Sequence, residues 1–128
     1  MQNVESGQNE ETAKQTADRS SENKIRAYLG FSLRNKTLTL GTDGIEALKK
    51  GVRLLIADET IGATAKKRLI VCAAEMKCPL YLYRGNIGEF ISRPAVKAAA
   101  LKDKNLADAL EKTVRANEQW KLYSGGEI

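Results

Sequence analysis

The stretch Leu54-Leu55-Ile56-Ala57-Asp58-Glu59-Thr60 decides how the rest of the chain reads. Four apolar residues in a row fit a strand covered on both faces, because successive strand side chains point to opposite sides of a sheet. Asp58-Glu59-Thr60 then reads as the cap of a long helix in which Ile61, Ala65, Leu69, Cys72 and Met76 form one stripe, with Lys66, Lys67 and Glu75 mostly off it. A strand buried on both sides needs helices on both sides.

Working toward the amino terminus, Asp43 followed by Glu46 fits a capping pair, with Ile45 and Leu48 on one face and Gly51 placed to end a short helix. Before it, Thr37-Leu38-Thr39-Leu40 alternates as a short strand closed by Gly41, and a first helix runs from Ser21 through Ile25, Tyr28, Leu29 and Leu33 to about Arg34-Asn35-Lys36. Toward the carboxyl terminus, Cys78-Pro79 breaks the long helix and Leu80 to Tyr83 reads as a third strand. Asn86 and Glu89 open a short helix that buries Ile87, Phe90 and Ile91, and Arg93-Pro94 stops it. Val96, Ala98 and Ala100 alternate in a fourth strand, and a last helix from about Lys104 to Asn117 turns Leu106, Ala109, Leu110 and Val114 to the sheet. The alternation predicts a three-layer α-β-α sandwich with a central mixed sheet of about four strands.

The chain has 128 residues, enough for one domain and not for two. Residues 1–22 are polar and acidic, with Val4 the only large aliphatic residue besides Met1, and read as a disordered tail that buries too little to offset its ordering entropy. Residues 23–118 form the α/β domain, and 119–128 a short, loosely held tail. No run approaches membrane-spanning length and the first residues lack the apolar centre of a secretory leader, so the expected location is the cytoplasm. Cys72 and Cys78 fit free thiols in a reducing compartment.

With no histidine, imidazole-based triads and histidine-ligated metal sites are excluded. No Gly-rich phosphate loop or nucleophile-elbow motif occurs, and no cofactor is implied. Formal net charge is +5, but residues 1–22 hold five acids and two bases, leaving 19 bases and 11 acids from Asn23 onward, a net charge near +8. That excess suits a polyanion such as nucleic acid; solvated surface lysines are the plain alternative.

Gly41-Thr42-Asp43-Gly44, at a strand-to-helix turn, offers backbone N–H groups to a phosphate or a base edge, or is simply a turn. Arg34, Lys36, Lys49, Lys50 and Arg53 could gather at one end of a sandwich as a phosphate-contacting patch, or be solvated helix ends. In Tyr83-Arg84-Gly85-Asn86, Arg84 and its aromatic neighbour could meet an unpaired base, while capping alone accounts for Asn86. Lys66, Lys67 and Arg68 read as an exposed helical face. Asp58 and Glu59 could hold Mg²⁺ with Asp103 as a further carboxylate, though capping of the long helix is the favoured reading.

Several strings together resemble one family. Leu29-Gly30-Phe31-Ser32-Leu33-Arg34, Ala47-Leu48-Lys49-Lys50-Gly51, Leu54 to Thr60, Thr64-Ala65-Lys66-Lys67, Pro79-Leu80-Tyr81, Ile87-Gly88 and Arg93-Pro94 are similar, in order and spacing, to the ribosomal kink-turn-binding proteins called L-seven-Ae, with their L-thirty-e and growth-arrest relatives, and most to the short bacterial YlxQ-like branch. The resemblance implies a non-enzymatic α-β-α protein that binds kinked or internal-loop RNA, such as ribosomal RNA, through the loop after the first strand, the next helix start and two neighbouring loops. It places Gly41, Thr42 and Asp43 in the contact motif, and Glu46 where the family carries lysine. An acid there repels phosphate, and Lys49 and Lys50 stand one turn on to compensate. The growth-arrest relatives imply a different reading, a protein-interaction adaptor; a small Mg²⁺-dependent phosphoryl-transfer enzyme is the third.

Overall fold

The computed structural model describes residues 9–124. Its elements run α1 (Asn9–Arg34), β1 (Leu38–Leu40), α2 (Thr42–Ala47), β2 (Leu54–Asp58), α3 (Ala63–Met76), β3 (Leu80–Tyr83), a 3-10 turn (Ile87–Ile91), β4 (Ala98–Leu101), α4 (Lys104–Arg115) and β5 (Trp120–Ser124). Five strands form one sheet in the order β1-β4-β2-β3-β5, parallel between β2 and β3 and antiparallel elsewhere.

Two apolar layers hold the sheet. On one face Leu54, Ile56, Tyr81, Ala99 and Leu101 meet Ile25 and Leu29 of α1 and Ala107, Leu110 and Val114 of α4. On the other, Leu55, Ala57, Leu80, Leu82, Ala98 and Ala100 meet Ile45 of α2 and Leu69, Cys72 and Ala73 of α3. The unbroken Leu54–Ala57 run is thus divided alternately between the layers, each fully buried aliphatic side chain contributing about 1.5–3 kcal/mol. The alanines of β4 let the helices approach the middle of the sheet closely.

The structure corrects four readings. The first helix does not open at Ser21: it extends back to Asn9, because lengthening a helix already anchored by Ile25 and Leu29 needs no new nucleus. The tail reading over residues 1–8 lies outside the described residues. The fourth strand is buried along its whole length rather than alternating, since β1 and β2 flank it and helices cover both faces. The segment from Trp120 is a fifth strand: Trp120 is buried with its ring 4.7 Å from that of Tyr83, which pins the strand beside β3. The long helix starts at Ala63 with Gly62 before it, so Asp58-Glu59-Thr60 does not cap it.

Since β1, β2 and β3 run one way and β4 and β5 the other, the loops fall into two groups at opposite ends of the sheet. At the carboxyl end of β1–β3, Gly41 N–H donates to Ala98 O at 2.9 Å, Asp58 N–H to Lys97 O at 3.1 Å and Arg84 N–H to Gln119 O at 2.9 Å. At the amino end, Lys102 N–H donates to Thr37 O at 3.0 Å, Arg53 N–H to Leu101 O at 2.8 Å and Leu55 N–H to Pro79 O at 2.9 Å.

Candidate nucleic-acid interface

The chain leaves β1 through Gly41, whose φ of 86° and ψ of 149° suit a residue without a side chain. Beside this turn lies an open groove of about 380 Å³, walled by Leu40, Ile61, Ala65, Val96 and Ala98, with Gly41 and Thr42 on one lip and Lys97 on the other. The strand order creates it: β1 and β4 are neighbours, so the Gly41 turn faces the segment leading into β4, and α3 closes the floor.

Lys97 is anchored. Its Nζ donates to Thr60 Oγ1 at 3.0 Å, Thr60 Oγ1 donates to Asp58 Oδ1 at 2.5 Å, and Asp58 Oδ2 accepts Ile87 N–H at 3.3 Å. Asp58 is fully buried, and these contacts tie the β2–α3 turn, the 3-10 turn and the β4 approach into one support beneath the groove. Asp103 stands at the opposite end of the sheet, where its Oδ1 accepts Leu106 N–H at 2.9 Å as the cap of α4. The carboxylates that sequence offers for Mg²⁺ are therefore not brought together, and the described residues contain no cluster of three or more potential metal ligands.

On α2, Arg68 reaches over from α3. Its Nε donates to Glu46 Oε2 at 2.8 Å, and its Nη2 to Glu46 Oε1 at 2.5 Å and to Asp43 Oδ1 at 2.6 Å. This overturns two expectations: Asp43 caps nothing, Gly41 being the N-cap residue without a side-chain bond, and Arg68 is not part of a merely solvated face. The Arg68 hydrogen bonds hold the Glu46 carboxyl below its ordinary range, and the two carboxylates hold the guanidinium above its own. Glu46 is paired where the resemblance puts a free lysine.

The remaining candidates separate. Asn86 accepts Gly88 N–H at 2.9 Å and donates to Pro94 O at 3.2 Å, committing one end of its amide to the 3-10 turn and the other to the segment after it. Gly88 there admits no side chain, as a Cβ would lie 2.1 Å from Arg93 O. Arg84 is exposed at the same end as Gly41 but three strands away, about 15 Å at ordinary strand spacing. Tyr83 is half-buried against Phe90 and Trp120, and burial raises its phenol pKa. Arg34, Lys36, Lys49 and Lys50 are exposed, and the sheet direction sends Arg34, Lys36 and the loop from Lys49 to Arg53 to the amino end, away from the Gly41 groove. The sequence-based site thus divides between the two ends. The sequence does not single out Lys97, because it sits inside an apparently alternating strand; the cation between Val96 and Ala98 is the available signal.

No family model matches the chain, and no curated protein matches it. Among solved structures, it is similar to one described as a protein with unknown function from Bacillus halodurans C, at 19% identity and a TM-score of 0.59, over 70% of this chain and 94% of that one. The likeness establishes the α/β sandwich fold. No helix among the described residues is long and apolar enough to cross a membrane.

Proposed function

We propose that this chain is a non-enzymatic cytoplasmic protein that binds structured RNA of the kink-turn or internal-loop kind, with the groove beside Gly41 as its reading site. The observation that carries this is the groove itself: an apolar slot fit for a splayed base, bordered by a glycine turn on one side and by Lys97, able to meet a phosphate, on the other. Glu46, being held by Arg68, presents less free charge to a phosphate than an unpaired acid would. Titration against matched RNAs with and without an internal loop tests it. Wild type should prefer the looped RNA, and Val96→Glu, placing charge in the groove wall, should weaken that complex at least tenfold with an unchanged melting temperature. Equal affinity for both RNAs overturns the reading.

A protein-adaptor role has its own support in β5, an open sheet edge on which Leu122 and Tyr123 are 45% and 41% exposed. Capture of a defined protein partner that survives nuclease and is lost in Leu122→Lys would favour it.

A further inference from the structure

We propose that the amino end of the sheet is a second, separate nucleic-acid contact, a surface for the phosphate backbone of double-stranded RNA. Four segments meet there, 34–37, 48–53, 77–79 and 102–104, and they contribute Arg34, Lys36, Lys49, Lys50, Arg53, Lys77, Lys102 and Lys104 against the single acid Asp103. Asp103 is occupied in capping α4. Among the described residues, only Lys104 of these cations is in an ion pair, with Asp108 at 3.0 Å. The carboxyl end has no such excess, with Arg84, Arg93 and Lys97 set against Asp43, Asp58, Glu59, Glu89 and Glu118.

Lys102 and Arg53 directly abut β4 and β2, Lys36 stands two residues before β1 and Lys77 three before β3, so the four are spread over the adjoining ends of four neighbouring strands that span about 15 Å at ordinary strand spacing. Cations spread over one end of a sheet suit successive phosphates; strand pairing places Lys102 and Arg53, and the ends of α1 and α3 place Lys36 and Lys77.

Two of the four carry a further mark. Lys36 ends α1 with φ 61°, its N–H donating to Leu33 O at 3.1 Å and Thr37 N–H to Ser32 O at 2.9 Å. Lys77 ends α3 in the same way with φ 55°, its N–H donating to Ala74 O at 3.3 Å and Cys78 N–H to Ala73 O at 3.1 Å. This closing turn favours glycine, because a side chain in the left-handed region crowds the backbone. Favourable contact with the helix dipole needs only a cation somewhere in the last turn, as Arg34 already provides in α1. Among the described residues one other non-glycine residue, Ser92, is left-handed, closing the 3-10 turn toward the other end of the sheet; lysine at the left-handed ends of both α1 and α3 is intelligible if the charge is needed there.

The test uses the full chain and a perfectly paired RNA duplex without loops, over a salt series. Lys36→Gly/Lys77→Gly should raise the melting temperature, weaken duplex binding at least tenfold at low salt and reduce the log–log salt slope by about 2, near 0.9 per phosphate contact. Arg53→Gln/Lys102→Gln should weaken binding and flatten the slope similarly without relief of strain. A merely structural role would move the melting temperature and leave the slope alone, and wild-type slope and affinity in both variants overturn the proposal. So does retained duplex binding with loss of binding to anionic vesicles, which would make the surface a membrane contact. Because the duplex has no loop, failure of the groove reading leaves this result unaffected, and Val96→Glu should bind the duplex as wild type does.

Discussion

The guanidinium of Arg68 forks onto the carboxylate of Glu46, joining α3 to α2 through two hydrogen bonds of 2.8 and 2.5 Å. The pair lets an acid stand on α2 without a bare negative charge, and it holds a short helix that buries only Ile45 against its neighbour. Because Arg68 holds the Glu46 pKa below its ordinary value of 4.5, the sign of its pH dependence follows. The contribution is present above the unfolded pKa and fades as pH falls through the lowered folded value. Arg68→Ala should therefore be less stable than wild type at pH 7, and the gap should close as acid is added below about pH 4.5. Denaturant melts of the two proteins across pH 3–7 measure this, and a gap independent of pH refutes it.

Asp58→Asn should cost roughly 1–3 kcal/mol, since an amide cannot accept at both oxygens and one of the Thr60 and Ile87 donors loses its partner in a buried setting. Urea unfolding reads the loss, and amide exchange should rise first at Ile87 or Thr60.

Gly88→Ala is expected to be more damaging than its size suggests. The added Cβ would sit 2.1 Å from the Arg93 carbonyl oxygen, a backbone atom that cannot swing aside, so the 3-10 turn must shift. Destabilisation of roughly 3 kcal/mol or more, at the upper end of overpacking costs, should appear as a lower melting temperature.

Burial pushes the Cys78 thiol up to about 11 and raises Cys72 as well. Both are free and buried. A thiol-specific reagent at pH 8 should react with them slowly in the native protein and fully after unfolding. Since the folded state keeps Cys78 protonated while the unfolded thiol ionises near 9, stability should fall between about pH 9 and 11 in wild type. Cys78→Ala should flatten that decline.

Leu69→Ala, at a fully buried position of α3 facing β2 and β3, should cost about 2–5 kcal/mol by cavity formation. Chemical denaturation with an unchanged slope against denaturant would confirm that only packing was lost.

Much of the secondary structure was legible because it depends on neighbours in the chain. The Leu54–Ala57 run marks a strand covered twice, Cys78-Pro79 ends a helix, and Asn86 caps the turn after it, each by local sterics or local hydrogen bonding. Helix limits were less legible where an element's end rests on something distant: α1 runs back to Asn9 once its packed half is anchored, and β5 exists because Trp120 finds Tyr83.

What the sequence determined by itself is the α/β alternation, two apolar layers and a basic folded part, since hydrophobic period, capping chemistry and charge are properties of the order of residues. Which residues share a surface was decided only by tertiary structure. Gly41 and Lys36 are near neighbours in sequence yet lie at opposite ends of β1, while Lys36 and Lys102 are far apart in sequence and are set side by side by the pairing of β1 with β4. Strand order and direction come from long-range pairing that no local pattern encodes, and they divide the basic residues between a groove with a lysine lip and a group of cations at the other end of the sheet.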